Sequence, residues 1–233
     1  NLRAMYHRAC RNEGKRLRES PFAGLRLRRE ETPKRAVPAK VIKQIASLDL
    51  KAEPKKQLAA DLALFSFMAC GMPFVDVVHL TRENLIENGK VLTYNRQKTG
   101  VLIQMEVTQG MQFLIDRYSR PGARYLFPVL PENATHEQYK YCLARQNGCL
   151  EEVGRLLNWD GKLTTYAFRH AWASEAYHMH VSISIISQAL GHTTEKMTHD
   201  YLQYFSAKEV GKAVKQVSEK VGELVRGVPL FMK

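Results

Sequence analysis

Three side chains in the C-terminal third of the sequence are of the types that transfer a phosphoryl group. Arg169 comes first, His192 follows in the string Leu190-Gly191-His192, and Tyr201 stands nine residues after His192. A tyrosine hydroxyl can attack phosphorus, and the fork of an arginine engages two phosphate oxygens without losing its proton. A histidine can donate a hydrogen bond to a phosphoryl oxygen or accept the proton of the tyrosine. Together these groups could break a phosphodiester without a metal or a nucleotide, because the bond energy stays in a phosphotyrosine.

The leaving oxygen of such a reaction needs a proton, and Lys98 is the residue that could supply it. Lys98 lies in the turn Arg96-Gln97-Lys98-Thr99-Gly100, between two runs whose alternation predicts a β-hairpin. Its flexible stem could bring an ammonium group to a deoxyribose 5′ oxygen, and the flanking Arg96 and Thr99 are types that contact phosphates. A lysine in a turn is ordinarily only solvated, so this role depends on the other three residues.

Each of these residues also has a simpler interpretation. An arginine in a helix usually lies on the surface, and a lone histidine at a helix end is usually structural. Tyr204 lies three residues beyond Tyr201 on the same predicted helix, so it is the alternative nucleophile. The histidines at 178, 180 and 199 have no acidic or cysteine partner at a ligand spacing. The sequence therefore predicts no metal and no cofactor.

The charge of the chain indicates a polyanionic partner. The 233 residues carry a net charge of +12, with a sequence pI near 9.6. Residues 1–40 hold 12 Lys and Arg against 4 Asp and Glu, so +8 of the charge lies in this first segment. The distribution predicts nucleic acid as the first candidate partner and an anionic membrane surface as the second, with binding that weakens as salt rises. No apolar run approaches the roughly 18 residues of a membrane span, so no membrane partner is predicted.

The pattern of apolar residues predicts a mainly α-helical chain with one small antiparallel β-sheet. Prolines open helices at Pro38 and Pro54, and the second helix, apolar on nearly all sides, should be buried as far as Gly71. The strands are predicted at Lys90–Arg96 and Val101–Val107. Further helices are predicted at about 1–18, 108–119, 135–157, 165–179, 182–190, 194–204 and 207–226.

The last of these predicted helices carries a regular apolar stripe. Its members recur at spacings of four and three: Val210, Val214, Val217, Val221 and Leu224. Such a stripe fits a helix that folds back on its own domain or one that docks on a neighbouring protomer. The pattern alone does not decide between the two.

The order of the candidate residues resembles the active-site boxes of tyrosine recombinases. That family shares a helical catalytic domain with an arginine, a hairpin lysine, a His-x-x-Arg box, Leu-Gly-His and a tyrosine. This chain matches the pattern at Lys98, Arg169, His192 and Tyr201. It is more similar still to the integrases and invertases of Bacteroidetes mobile elements. The strings that carry this closer resemblance are Leu2–Ala4, Pro33–Ala36, Gly71–Val77, Arg96–Gly100, Tyr125–Pro128 and Tyr166–Trp172.

The resemblance implies the DNA breaking-rejoining enzyme fold and a division into four segments. Residues 1–20 would be the last helix of a core-binding (SAM-like) domain, and 21–36 a basic linker. Residues 37–205 would form the catalytic domain, and 206–233 a C-terminal helix and tail that packs on a neighbouring protomer. The implied assembly is a homo-tetramer on double-stranded DNA in the bacterial cytoplasm.

The function implied is site-specific recombination that integrates, excises or inverts a mobile element. Tyr201 would attack the scissile phosphate to form a 3′-phosphotyrosine, while Arg169 and His192 steady the phosphoryl oxygens. Lys98 would protonate the 5′ leaving oxygen, and Asp76 would brace the site. The residues predicted to contact DNA are Arg3, Arg35, Arg82, Arg96, Thr99 and His170.

Two positions depart from the family pattern. Pro73 stands where most of the family has its first catalytic arginine, and Tyr166 stands where it has the histidine of His-x-x-Arg. Proline has nothing to donate to a phosphate, so Arg82 or Arg96 would have to replace the arginine; the Tyr166 hydroxyl could keep a hydrogen bond. The alternatives are a recombinase-fold protein that only binds DNA, and a type IB topoisomerase that relaxes supercoils with similar chemistry.

Overall fold

A computed structural model describes residues 2–14, 21–22 and 36–199, without the side chains of residues 3, 4 and 199. Tyr201, Tyr204, Arg35 and the predicted helix 207–226 therefore lie outside the described residues, as does the side chain of Arg3. The chain divides into two compact units, Asn1–Pro33 and Lys34–Lys233.

The first unit contains one described helix, α1, which spans Leu2–Asn12. The prediction of a helix over 1–18 is wrong at its C-terminal end. Gly14 takes a left-handed conformation with φ of +62°, and its N–H donates to the Arg11 carbonyl at 3.2 Å. Glycine ends helices in this way because it has no side chain to oppose the left-handed backbone. The rings of Tyr6 and Phe22 pack edge to face, with 5.7 Å between centroids.

The second unit is mainly helical and has one small antiparallel sheet, which confirms the predicted fold class. Its described elements in chain order are α2 (Ala39–Ala46), α3 (Pro54–Met68), α4 (Phe74–Val77), a 3-10 helix (Arg82–Asn84), β1 (Leu85–Ile86), β2 (Val91–Asn95), β3 (Leu102–Glu106), α5 (Gln109–Tyr118), α6 (His136–Leu156), α7 (Thr165–His178), α8 (Ile183–Leu190) and α9 (Glu195–His199). None of the helices within these described ranges is both long and apolar enough to cross a membrane.

The hairpin predicted from alternation forms between β2 and β3. The register pairs Leu92 with Met105 and Tyr94 with Ile103. Successive side chains of a strand point to opposite faces of the sheet. Leu92 and Tyr94, two residues apart, therefore share one face, and both are buried. β1 pairs with the outer edge of β2, giving the order β1-β2-β3. At two residues, β1 is too short to produce an alternating pattern in the sequence.

Helix α3 lies at the centre of the unit and packs against α2, α5, α6 and α7. This position explains why its apolar residues surround the helix rather than forming one stripe. The buried carboxylate of its Asp61 accepts three hydrogen bonds from side chains of α3 and α5. The donors are Gln57 at 3.0 Å, Arg117 at 2.8 Å and Tyr118 at 2.7 Å. The C-terminal end of α3 leads directly into the segment that contacts Arg169, described below.

Candidate active site

The C-terminal end of α8 is the point on which the candidate residues converge. Gly191 follows the helix with φ of +65°, and the N–H of His192 donates to the Ser187 carbonyl at 3.0 Å. This is the Schellman arrangement, in which a left-handed glycine closes the last turn. The last carbonyls of a helix have no partner within it and lie at the negative end of the helix dipole. The Leu190 carbonyl is one of them, and it accepts from two arginines.

Arg169 is the first of these two arginines. It lies in the first turns of α7, whose start is fixed by the Thr164 side chain accepting from the Ala167 N–H. The residue is 2% exposed. One terminal nitrogen donates to the Gly71 carbonyl at 2.9 Å, and the other donates to the Leu190 carbonyl at 2.6 Å. Arg169 thus joins the segment after α3 to the end of α8.

Gly71 is shaped for this contact. It has a left-handed φ of +66°, and a Cβ at this position would lie 2.8 Å from the Arg169 Cα. The preceding Cys70 is also left-handed, with φ of +56°. The two residues turn the chain sharply at the end of α3, which brings the Gly71 carbonyl against the guanidinium group. Neither a side chain nor an ordinary backbone conformation fits here.

Arg96 is the second arginine on the Leu190 carbonyl, at 2.8 Å. The sequence predicted Arg96, beside the hairpin turn, as a contact to DNA phosphates. The structure buries this residue, at 7% exposed, and its contact to DNA stays a prediction. Its Nε lies 3.1 Å from Asp76 Oδ2, a contact of opposite charges rather than a well-directed hydrogen bond. The other Asp76 oxygen accepts from the Gln97 N–H at 3.0 Å. Asp76 therefore supports the base of the turn through Arg96 and Gln97.

His192 completes the cluster. Its Nε2 lies 3.2 Å from a terminal nitrogen of Arg169, and its Nδ1 lies 2.9 Å from the Thr198 hydroxyl. Burial lowers the pKa of His192 to about 4, and the charges of Arg169, Arg96 and Lys98 act in the same direction. The imidazole is therefore neutral at physiological pH. The same field that disfavours a proton on this ring would favour a phosphodiester anion beside it.

The turn residues Lys98 and Thr99 lie on the solvent side of this cluster. Lys98 is exposed, yet its charge contributes to the lowered pKa of His192. Thr99 is half-buried, and its hydroxyl donates to the Gly191 carbonyl at 3.4 Å. An exposed ammonium group near a buried guanidinium pair is free to move toward a bound substrate.

The other predicted site residues are exposed or half-buried. Tyr166 is 46% exposed and packs edge to face with His170, with 4.9 Å between ring centroids. Arg82 is exposed at the start of the 3-10 helix, and none of its described contacts joins it to Arg169, Arg96 or His192. Pro73 is the residue that precedes α4 and contributes only backbone there.

Two parts of the site could not be predicted from the sequence. Thr198 had no predicted role, although that residue is 0% exposed and contacts His192. The Leu190 and Gly71 carbonyls that hold the guanidinium groups were not predicted either. The signal for the carbonyls was present in Gly71 and Gly191, because each glycine stands just after a predicted apolar helix. Backbone acceptors leave no other trace in a sequence.

Comparison with known proteins agrees with the fold and extends over most of the chain. The model of the phage integrase family matches residues 36–208. No curated protein matches the sequence. Among solved structures, the XerA recombinase is 12% identical with a TM-score of 0.57, and the match covers 89% of this chain and 70% of that one.

Two further solved structures contain DNA. The Tn1549 transposon integrase in complex with circular intermediate DNA is 15% identical with a TM-score of 0.58, over 91% of this chain and 75% of that one. The XerH recombinase bound to palindromic difH substrate is 12% identical with a TM-score of 0.58, over 86% of this chain and 58% of that one. These likenesses confirm the predicted fold. The closer resemblance to Bacteroidetes elements stays a prediction.

The contact between Gly71 and Arg169 yields a prediction with a matched control. Gly122 also has a left-handed φ, +78°, but a Cβ there would meet nothing within 4 Å. We expect Gly122→Ala to lower the free energy of unfolding by about 1 kcal/mol, the cost of a left-handed alanine. Gly71→Ala should lose about 2 kcal/mol more, because the added Cβ displaces the Arg169 backbone. Urea denaturation measures both, and equal losses would contradict the close approach.

Proposed function

The chain belongs to the phage integrase family, and from this premise we propose that it is a site-specific DNA recombinase acting through a covalent 3′-phosphotyrosine. We base this proposal on two guanidinium groups, those of Arg96 and Arg169, which both donate to the Leu190 carbonyl beside a neutral His192. Fixed cations next to a proton acceptor are what the attack of a hydroxyl on a phosphodiester requires. The proposed substrate is the recombination site of a mobile element that the protein integrates, excises or inverts.

In the proposed reaction the Tyr201 oxygen attacks the scissile phosphorus and the bond from phosphorus to the 5′ oxygen breaks. The tyrosine proton passes to a base, and Lys98 gives a proton to the departing 5′ oxygen. Arg169 and Arg96 offset the charge that grows on the non-bridging oxygens. Rejoining is the reverse process with the 5′ hydroxyl of another strand, so no nucleotide is consumed. No step in this scheme needs a metal or a cofactor.

His192 has two possible roles in this scheme, and its surroundings favour one. A guanidinium group only donates hydrogen bonds, so a histidine nitrogen facing Arg169 at 3.2 Å must accept. An Nε2 without a proton can take the tyrosine proton when the guanidinium group turns from it to the phosphate, whereas it cannot donate to a phosphoryl oxygen in this state. We therefore assign His192 to the proton of Tyr201.

Arg96 is a better candidate than Arg82 for the cation that replaces the arginine absent at Pro73. It shares an acceptor with Arg169 and lies in the same buried cluster, whereas Arg82 is exposed on the 3-10 helix. An absent oxyanion-type donor would cost about 2.7–4 kcal/mol of transition-state stabilisation. A second guanidinium group on the same carbonyl offsets that loss. Tyr166 and His170, exposed or half-buried on α7, fit contacts to the DNA backbone better than contacts to the reacting atoms.

The proposed partners are double-stranded DNA and further copies of the chain. Binding would rely on Arg3, Arg35, Arg82, Thr99 and His170 as well as on the net charge of +12. We propose a tetramer on two duplexes in the bacterial cytoplasm, with residues 206–233 packed on a neighbouring protomer. Residues 1–20 and 21–36 would contribute the end of a core-binding domain and its linker, and 37–205 the catalytic domain.

Pro73 supports a second candidate, a DNA-binding protein that does not cleave. Covalent capture separates it from a recombinase without knowledge of the target. The probe is a pool of fluorescent duplexes, nicked near a randomised segment so that cleavage releases a short fragment and traps the enzyme. We expect a DNA adduct that survives denaturing electrophoresis.

The variant Tyr201→Phe should form no adduct, because phenylalanine has no nucleophile, while Tyr204→Phe should still form it. An adduct with Tyr201→Phe would move the nucleophile elsewhere, and no adduct with the unaltered protein would favour the binding-only candidate. Relaxation of a supercoiled plasmid by a monomer would indicate a topoisomerase instead.

The proposed role of Lys98 can be tested by changing the leaving atom. Replacement of the bridging 5′ oxygen by sulfur removes the need for a general acid, because a thiolate leaves without a proton. We expect Lys98→Ala to slow adduct formation on oxygen-linked DNA about 100-fold or more. On sulfur-linked DNA of the same sequence, Lys98→Ala and the unaltered protein should react at similar rates. An equal defect on both substrates would rule out proton donation by Lys98.

A further inference from the structure

A cleft between the N-terminal half of α3 and the middle of α6 has no role in the proposed reaction. The described residues that line it include none of those around Arg169. Its volume is about 230 Å³. An apolar cavity of roughly 150 Å³ is enough to hold benzene, and close-packed protein interiors leave few voids of that size. The cleft therefore has room for one aromatic ring with a short substituent.

The inner part of the cleft is lined by aliphatic side chains. Leu58 and Leu62 lie one turn apart on the same face of α3, and Leu62 is 2% exposed. Val129 approaches the same space from the loop before α6. Aliphatic groups of this kind favour an apolar ligand, because the contact removes the surfaces of both from water.

Two polar side chains of α6 also line the cleft, and both donate to the protein backbone. The Cys142 thiol donates to the Val129 carbonyl at 3.4 Å. Nε2 of Gln146 donates to the Ala59 carbonyl at 2.8 Å. Thiols also pack favourably against aromatic rings. A ring is therefore a suitable occupant of this part of the cleft.

The mouth of the cleft is positively charged. Lys55 on α3 and Arg145 on α6 both line the cleft and are exposed. None of the described lining residues is acidic. Nearby in the sequence, Glu53 and Glu152 both pair with Lys56, and no ion pair in the described part of the chain involves Lys55 or Arg145. The two charges are therefore available to an anionic group on a ligand.

We propose that this cleft binds a small aryl carboxylate. The ring lies against Leu58, Leu62 and the thiol-bearing face of α6, and the carboxylate lies between Lys55 and Arg145. Burial of the ring supplies most of the affinity, whereas the exposed ion pairs supply selectivity, because such pairs are weak. A ligand of about ten non-hydrogen atoms should bind with a Kd of about 0.1–1 mM. The proposal is independent of the proposed function, because no residue of the cleft takes part in that reaction.

Cys149 can report whether the cleft is occupied. It lines the cleft and is half-buried, so a ligand beside it should slow its alkylation by iodoacetamide, a neutral reagent. Cys10 is the matched control, because it is also half-buried but lies on α1. Mass spectrometry of the two cysteine peptides measures both rates in one sample of the full chain.

The probes are phenylacetate, the neutral phenylacetamide of the same shape, and acetate, which has the charge but no ring. We expect phenylacetate at about ten times its Kd to slow alkylation of Cys149 about 10-fold, because only the free cleft reacts. The rate at Cys10 should not change. Phenylacetamide should bind about 3- to 10-fold more weakly than phenylacetate, because it lacks the charge. Acetate at the same concentration should protect neither cysteine.

Three outcomes with the unaltered protein would overturn the proposal. The first is no saturable protection of Cys149 by phenylacetate. The second is equal protection by acetate, which would indicate an adventitious ion only. The third is equal affinity for phenylacetamide, which would show that the cleft does not recognise a carboxylate.

Charge variants test where the carboxylate lies. Replacing both cations, by Lys55→Gln and Arg145→Gln, should weaken phenylacetate about 3- to 10-fold and leave phenylacetamide unchanged. Arg155→Gln is the matched control, because Arg155 is an exposed arginine of α6 that does not line the cleft. It should leave both affinities unchanged. An equal loss for both probes in the double variant, or the same loss of phenylacetate affinity in Arg155→Gln, would contradict the proposal.

Discussion

One backbone oxygen organises the whole candidate site. The Leu190 carbonyl accepts from Arg96 at 2.8 Å and from Arg169 at 2.6 Å, which holds two like charges close together. Such a pair would separate in water, but the negative end of α8 stabilises both cations and Asp76 lies against one of them. The interaction also fixes the fold locally, because it ties the β2–β3 turn and α7 to the end of α8. The phosphate site that we propose is therefore already formed in the protein alone.

Two glycines make this arrangement possible, because each leaves room for an arginine to lie against the backbone. Gly191 closes α8, and a Cβ there would lie 2.8 Å from Cγ of Arg96. Gly71 follows α3, and a Cβ there would lie 2.8 Å from Cα of Arg169. Each arginine side chain thus lies against a left-handed glycine at the end of an apolar helix. Each of the two arginines donates to the Leu190 carbonyl, and the carboxylate of Asp76 contacts Arg96 directly and attracts Arg169 through its charge.

The sequence predicted the elements of this site better than their contacts. Pro54 and the long apolar run after it located α3, and alternation located the hairpin, because each of these elements is long enough to show its pattern. The two residues of β1 are too few to do so. The chemistry of Arg169, His192 and Lys98 followed from residue types and spacing, and the structure brings these three residues to one place. Spacing could not predict that Arg96 turns inward, because the choice depends on a carbonyl 94 residues away. Tyr201 lies outside the described residues, so its role stays a prediction.

We propose that Arg96 and Arg169 act on the phosphate as one unit because they share an acceptor. A double-mutant cycle on the rate of covalent adduct formation tests it most directly, with Arg96→Lys, Arg169→Lys and the pair. Each single change should slow the reaction about 100-fold or more, since a lysine cannot hold the carbonyl and the phosphate together. The pair should be at most about 10-fold slower than the slower single variant, because residues that act as a unit are not additive. Losses that multiply to about 10,000-fold would show two independent cations and contradict the account.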